Sequence, residues 1–278
     1  MQLQALLPLV THPDPNSDIV AAHAVAVANL IRAEIHALAI NVDIPPVSNA
    51  LSRFLLDVPE MIRGAEAQSR KRGEHLLALI EQAATPAGIT SRKSAISAPL
   101  ALLAETAAIQ ARYFDLALVG LEAGNQTSRA TAEAVIFGSG RPSVLLPELC
   151  DIGAMDHVAI AWDGSRVAAR AVGDALPFLQ RADRVSVLTV VDEKPLKERD
   201  AGERLVEGLR SRGLDAETVA LRSEDCPIAA TLQQRAIERG AGLLVMGGYG
   251  HSRVRDFVLG GATNGVLNDP LMPILISH

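Results

Sequence analysis

The sequence predicts an α/β fold made of two tandem doubly wound parallel-sheet domains, residues 1–150 and 151–278. Three observations carry that prediction. Short runs of Val, Ile, Leu and Ala alternate with longer amphipathic segments along all 278 residues, the pattern of right-handed βαβ crossovers. Hydrophobic residues make up 49% of the chain but aromatic residues only 3%, so the core is aliphatic, as suits strands buried on both faces. The unit is also written twice. Val135-Ile136 precede Pro142-Ser143-Val144-Leu145 by the same spacing with which Val266-Leu267 precede Pro273-Ile274-Leu275-Ile276, and Val20-Ala21-Ala22 matches Val167-Ala168-Ala169.

In the first half, residues 3–10 read as a strand, with Pro8 pointing to an edge position or irregular pairing. The run from Thr11 to Ser17 is a turn by composition, and Asp18 is placed to cap a helix through Ala21, Val25 and Ala28. A strand is expected over about 34–42, then a polar and amphipathic region, 47–84, with a helix over about 59–83. Strand 89–97, helix 100–112, strand 115–120 ending in Gly120, helix 128–137 and strand 142–147 complete the half. The second half restarts at Asp156: strand 157–162, turn Asp163-Gly164-Ser165, helix to about 179, strand 184–191, charged helix 196–212, strand 215–221 and helix 227–239. A strand runs into Gly247, and a short helix over 262–268 and a last strand end the chain.

Charge and composition narrow the function. The formal net charge is −6, shared evenly by the halves, and no basic stretch is interleaved with aromatics, so nucleic acid is not an expected partner. Two cysteines, Cys150 and Cys226, without metal-ligand spacing, fit a reducing, cytoplasmic setting. No run reaches the ~18 apolar residues of a membrane span, and no signal peptide is expected at the amino terminus. No paired carboxylates, Ser-His-Asp ordering or metal cluster stands out. The seven histidines are scattered, most of them at expected surface or turn positions.

The strongest chemical signal is Leu243-Leu244-Val245-Met246-Gly247-Gly248-Tyr249-Gly250, a buried strand running into glycines at its carboxyl edge. Gly260-Gly261 then precede the short helix, so backbone N–H groups and a positive helix end face the same loop, which suits an anion. The spacing Gly247-x2-Gly250-x9-Gly260 resembles the nucleotide-binding loop of the universal stress proteins, in which a Ser or Thr follows the last glycine and the loop cradles the phosphates of ATP. Gly261 stands here in place of that hydroxyl, with Thr263 two positions further on.

The resemblance extends over the whole chain as a tandem universal stress protein of the adenine nucleotide α-hydrolase-like, Rossmann-like class. It implies an adenine nucleotide held by Asp163 beside the nucleoside, Val190 against adenine, and Gly247, Gly250, Gly260, Gly261 and Thr263 around the phosphates, as ATP with or without Mg2+. It also implies that the halves pair through their last strands, that the chain forms a homo-oligomer, and that a protein partner of unknown identity exists. Slow ATP hydrolysis is the most that family catalysis would offer.

The first half departs from the motif. Fifteen positions separate Gly120 from Val135 where nineteen separate Gly247 from Val266, and Arg129-Ala130 fall where Gly260-Gly261 stand. A degenerate, structural first half is therefore expected beside a nucleotide-binding second half. The competing expectation is a universal-stress-type interaction or chaperone-like module that binds no nucleotide, which the missing hydroxyl at Gly261 favours.

Overall fold

A computed structural model describes residues 2–45, 57–192, 198, 200–223, 226–248 and 261–278. The first half runs β1 (Gln4–Val10), α1 (Ile19–Ile31), β2 (Glu34–Asp43), α2 (Val58–Ala84), β3 (Ser91–Pro99), a 3-10 turn (Leu100–Leu102) leading into α3 (Leu103–Ala111), β4 (Leu116–Leu121), α4 (Gln126–Gly138) and β5 (Ser143–Pro147). The second runs β6 (His157–Ala161), α5 (Arg166–Asp174), α6 (Leu176–Leu179), β7 (Arg184–Val190), α7 (Ala201–Arg210), β8 (Ala216–Leu221), α8 (Ile228–Glu238), β9 (Leu243–Gly247), α9 (Gly261–Asn268) and β10 (Ile274–Ser277). The α/β class predicted from the alternation is the one observed.

Among the described residues the strands form a single sheet in the order β3-β2-β1-β4-β5-β10-β9-β6-β7-β8. Each half contributes five parallel strands, and the halves join where β10 meets β5 antiparallel, Ile274 opposite Leu145 and Ile276 opposite Ser143. That pairing gives each last strand a neighbour and removes two apolar edges.

Side chains alternate across the sheet, so each strand feeds two cores. Ala5, Leu7 and Leu9 of β1 and Leu275 of β10 enter the layer covered by α1, α2, α5, α6 and α7. Leu6, Ile274 and Ile276 enter the opposite layer, under α3, α4, α8 and α9. Both layers run unbroken through the β5–β10 seam.

Of the two expectations for Pro8 the irregular pairing holds, and three other local expectations change. Pro8 lies in an interior strand: β1 pairs with β2 along its whole length but with β4 only at Ala5 and Leu6. The β4 ladder ends before Pro8, on the side of the strand where its missing N–H would have been needed. Asp18 makes no side-chain cap and takes helical angles, because its carboxylate is drawn to Arg72 (2.7 Å) and His75 (3.0 Å) on α2. The helix expected to reach Leu179 breaks at Ala175, since Pro177 has no N–H to give the Gly173 carbonyl. The charged helix is shorter, starting at Ala201, and most of 193–199 lies outside the described residues.

Candidate functional site

The two halves share a packing device at the strand that ends beside the crevice. A Cβ added to Gly120 at the end of β4 would lie 2.8 Å from Val20 Cγ2 of α1, and one added to Gly247 at the end of β9 would lie 2.7 Å from Val167 Cγ2 of α5. The same glycine meets the same valine twice, so the repeat in sequence is a repeat in space. Gly247 comes closer still to backbone, 2.5 Å from Ala168 N. Its glycine is required by strand-on-helix packing whether or not a ligand binds.

Around Gly247 the second half gathers the carboxyl ends of three adjacent strands, β9, β6 and β7. Ligands of doubly wound sheets bind at this edge. Asp163 follows β6 and is exposed. Its Oδ1 accepts from the Ser165 N–H at 2.9 Å, while Ser165 Oγ accepts from the Ala168 N–H at 3.2 Å and caps α5. Gly164 between them has φ +73°, a left-handed angle that suits glycine. Val190, the last residue of β7, is half-buried; the β6–β7 pairing ends with Ala161 opposite Leu188, two residues short of Asp163 on one strand and of Val190 on the other. Trp162 lies beneath, half-buried, donating Nε1–H to the Ala201 carbonyl at 2.9 Å.

Gly261 opens α9, and a Cβ built on it meets nothing within 4 Å. Unlike Gly247, it answers to no packing constraint from the described residues. Thr263 is only 3% exposed, so its side chain belongs to the packing of α9. Gly250 and Gly260 lie outside the described residues.

At the corresponding edge of the first half the space is filled from within. Asn16, aligned with Asp163 by the Val20/Val167 match, is 1% exposed and completes the end of β1: its Oδ1 accepts from Val10 N–H at 2.7 Å and its backbone N–H donates to the Val10 carbonyl at 3.0 Å. Its Nδ2 donates to both carboxylate oxygens of Glu122, which is itself 7% exposed and follows β4 directly. Glu122 Oε1 also accepts from the Ser17 N–H at 3.0 Å, just before α1. A carboxylate of the protein thus stands at the helix end where an external anion would seek its donors. The start of α4 is closed as well, by Asn125 Oδ1 accepting from the N–H groups of Thr127 and Ser128, both at 2.9 Å.

Sequence reasoning missed Asn16, Glu122 and the link from Arg129 to Asn264. One signal was available for the second of these: an acid follows Gly120-Leu121 where neutral Tyr249 follows Gly247-Gly248. Two of the histidines expected at the surface are buried. His23 lies on the buried side of α1, where burial lowers its pKa, partly opposed by the Pro147 carbonyl and the charge of Asp151. His157 contacts Ser186 Oγ (2.9 Å) and the Arg239 carbonyl (3.0 Å), and burial followed by the charge of Arg184 lowers its pKa. Gly138-Ser139-Gly140 end α4, with Gly140 at φ +69°.

The family model of the universal stress proteins matches residues 155–278. The second half of the chain is a universal stress protein domain. A universal stress protein from Archaeoglobus fulgidus DSM 4304 superposes on both halves with a TM-score of 0.70 at 17% identity, covering 98% of this chain and 95% of that one. A functionally unknown protein from Pseudomonas aeruginosa PAO1 gives a TM-score of 0.57 at 14% identity, over 99% of this chain and 92% of that one. At these identities the likeness is one of fold, and it includes the first half. No protein of curated function matches the chain. Within the universal stress protein domain, Asp163, Val190, Gly247, Gly261 and Thr263 are the described residues among those the resemblance implies. Among the described residues no helix is long and apolar enough to cross a membrane.

Proposed function

We propose that this chain is a stress-responsive regulatory protein that binds ATP in its second half, residues 151–278, with the first half, residues 1–150, as a degenerate structural partner. The observation that carries this is the contrast between two matched positions. Asp163 is exposed at the edge of the second half, whereas Asn16 is buried against Glu122 in the first. An exposed carboxylate at the end of β6 suits ribose hydroxyls or the adenine amino group, and Val190 offers an apolar surface to the base. The backbone amides of the loop through Gly250, Gly260 and Gly261 would take the phosphates. Any magnesium would come on the phosphates of the nucleotide. No side chain here is assigned as a base, and any hydrolysis would be slow.

Gly261 in place of a hydroxyl residue supports a second reading, an interaction module of the same fold that takes no nucleotide. Calorimetric titration of nucleotide-stripped protein with ATP and magnesium separates the two. Saturable binding near one per chain, lost in Gly250→Ala with Gly260→Ala, is the expected result. No binding at millimolar ATP would favour the interaction module, and two equivalent sites would refute the degenerate first half.

A further inference from the structure

Arg129 lies on the first turn of α4, in the first half, yet its guanidinium reaches the second. Nη2 donates to Asn264 Oδ1 at 2.8 Å and Nη1 donates to Asn268 Oδ1, while Nε donates to Glu133 Oε1 of its own helix at 3.0 Å. Asn268 Nδ2 closes the set by donating to Asn264 Oδ1 at 3.2 Å. The two asparagines are one turn apart on α9, so a planar fork grips that helix along its axis. On another side α9 is pressed against α8: a Cβ on Gly265 would lie 2.3 Å from Ala229 Cβ. An eight-residue helix is thus held between one wall from each half. Its first residue is Gly261, and Asn264 stands within the first turn.

We infer that Arg129 is a positioning residue for the nucleotide site of the other half. By gripping Asn264 and Asn268 it fixes the angle at which α9 presents its amino-terminal N–H groups to the phosphates. The inference rests on the nucleotide reading above. The field and donors of a helix end act only over its first turn, so a small tilt of so short a helix weakens them without removing any ligand contact. The first half, with its own edge closed by Glu122, would then tune affinity in the second.

The test compares ATP titrations of the wild type, Arg129→Met, the pair Asn264→Ala with Asn268→Ala, and all three changes together. Hydrogen bonds to a charged group of this kind correspond to a loss of roughly tenfold in affinity. We expect that loss in Arg129→Met, the same loss in the asparagine pair, and no further loss when they are combined, since all remove one contact. Arg129→Lys, a point donor without the fork, should recover only part. Amide exchange over 261–268 in the ligand-free Arg129→Met protein should be faster than in the wild type. Wild-type affinity in Arg129→Met, or additive losses in the combined variant, would overturn the inference while leaving the site in place. Absence of ATP binding by the wild type would overturn the nucleotide reading and this inference with it.

Discussion

Asn16 donates its side-chain amide to both carboxylate oxygens of Glu122, at 3.0 and 3.2 Å, and the pair closes the crevice between β1 and β4. Glu122→Ala strips the acceptor from Asn16 Nδ2 and from the Ser17 N–H together. Leaving buried donors unsatisfied costs about 1–3 kcal/mol, which should appear as a lower urea midpoint at unchanged slope. The variant should still bind no second nucleotide, because Asn125 continues to cap α4 and Asn16 still bonds the end of β1. A second ATP per chain in calorimetry would show that Glu122 alone keeps the first half closed.

The glycines of the second half divide into those the fold needs and those it does not. Gly247→Ala would force a Cβ to 2.5 Å from the Ala168 backbone nitrogen and 2.6 Å from the Val167 carbonyl carbon, neither of which is the end of a flexible side chain. Overpacking of this kind costs about 1–3 kcal/mol or more. Gly261→Ala meets no neighbour among the described residues and replaces a glycine at the start of a helix, so stability should rise by about 0.5 kcal/mol or stay level. On the nucleotide reading, Gly261→Ser should tighten ATP binding by restoring the missing hydroxyl. Thermal melting and titration of the three variants check this, and a Gly247→Ala protein as stable as the wild type would refute the packing role.

Much of the fold was legible because it is repetitive. The spacing that sets Gly120 against Val20 recurs at Gly247 and Val167, and packing a strand end on a helix makes the same demand each time. Pro8 left an edge position and an irregular pairing both open, and Asp18 misled, because local rules cannot see neighbours. Whether a strand proline is tolerated depends on which side pairs, and whether an aspartate caps depends on rivals such as Arg72 and His75. Asp163 and Gly247 stand where the sequence sets them, just past the end of β6 and at the end of β9. The closed edge was not legible, since Asn16 and Glu122 stand 106 residues apart and meet only when β1 and β4 become neighbours.

Acid should weaken the fold through three of its histidines. Burial is the leading cause of the lowered pKa of His23, His36 and His157. The unfolded chain, whose histidines titrate near 6.5, therefore binds protons before the folded one does. The stability these groups contribute is complete above about pH 6.5 and declines as pH falls toward their folded values. Melting temperature should drop between neutral pH and about pH 5.5. His23→Leu removes one of these groups, whose Nδ1 is buried without a partner, and should make the decline shallower. An unchanged pH profile in that variant would count against His23.

The seam between the halves should unfold with the rest. Leu145, Leu275 and Ile276 are 0 to 1% exposed at or beside the β5–β10 pair, and both core layers pass through it without a gap. The outer surface adds Phe137 edge-on to His278 at 5.2 Å, with His278 Nδ1 3.0 Å from the Gly248 carbonyl. With hydrophobic contacts shared in this way, neither half has a core that closes on itself. Leu275→Ala should cost about 2–5 kcal/mol, as truncations of fully buried leucines do. Scanning calorimetry should show one transition in the wild type and one, at lower temperature, in the variant. Two separable transitions in the wild type would mean that each half is stable alone and that the seam joins finished units.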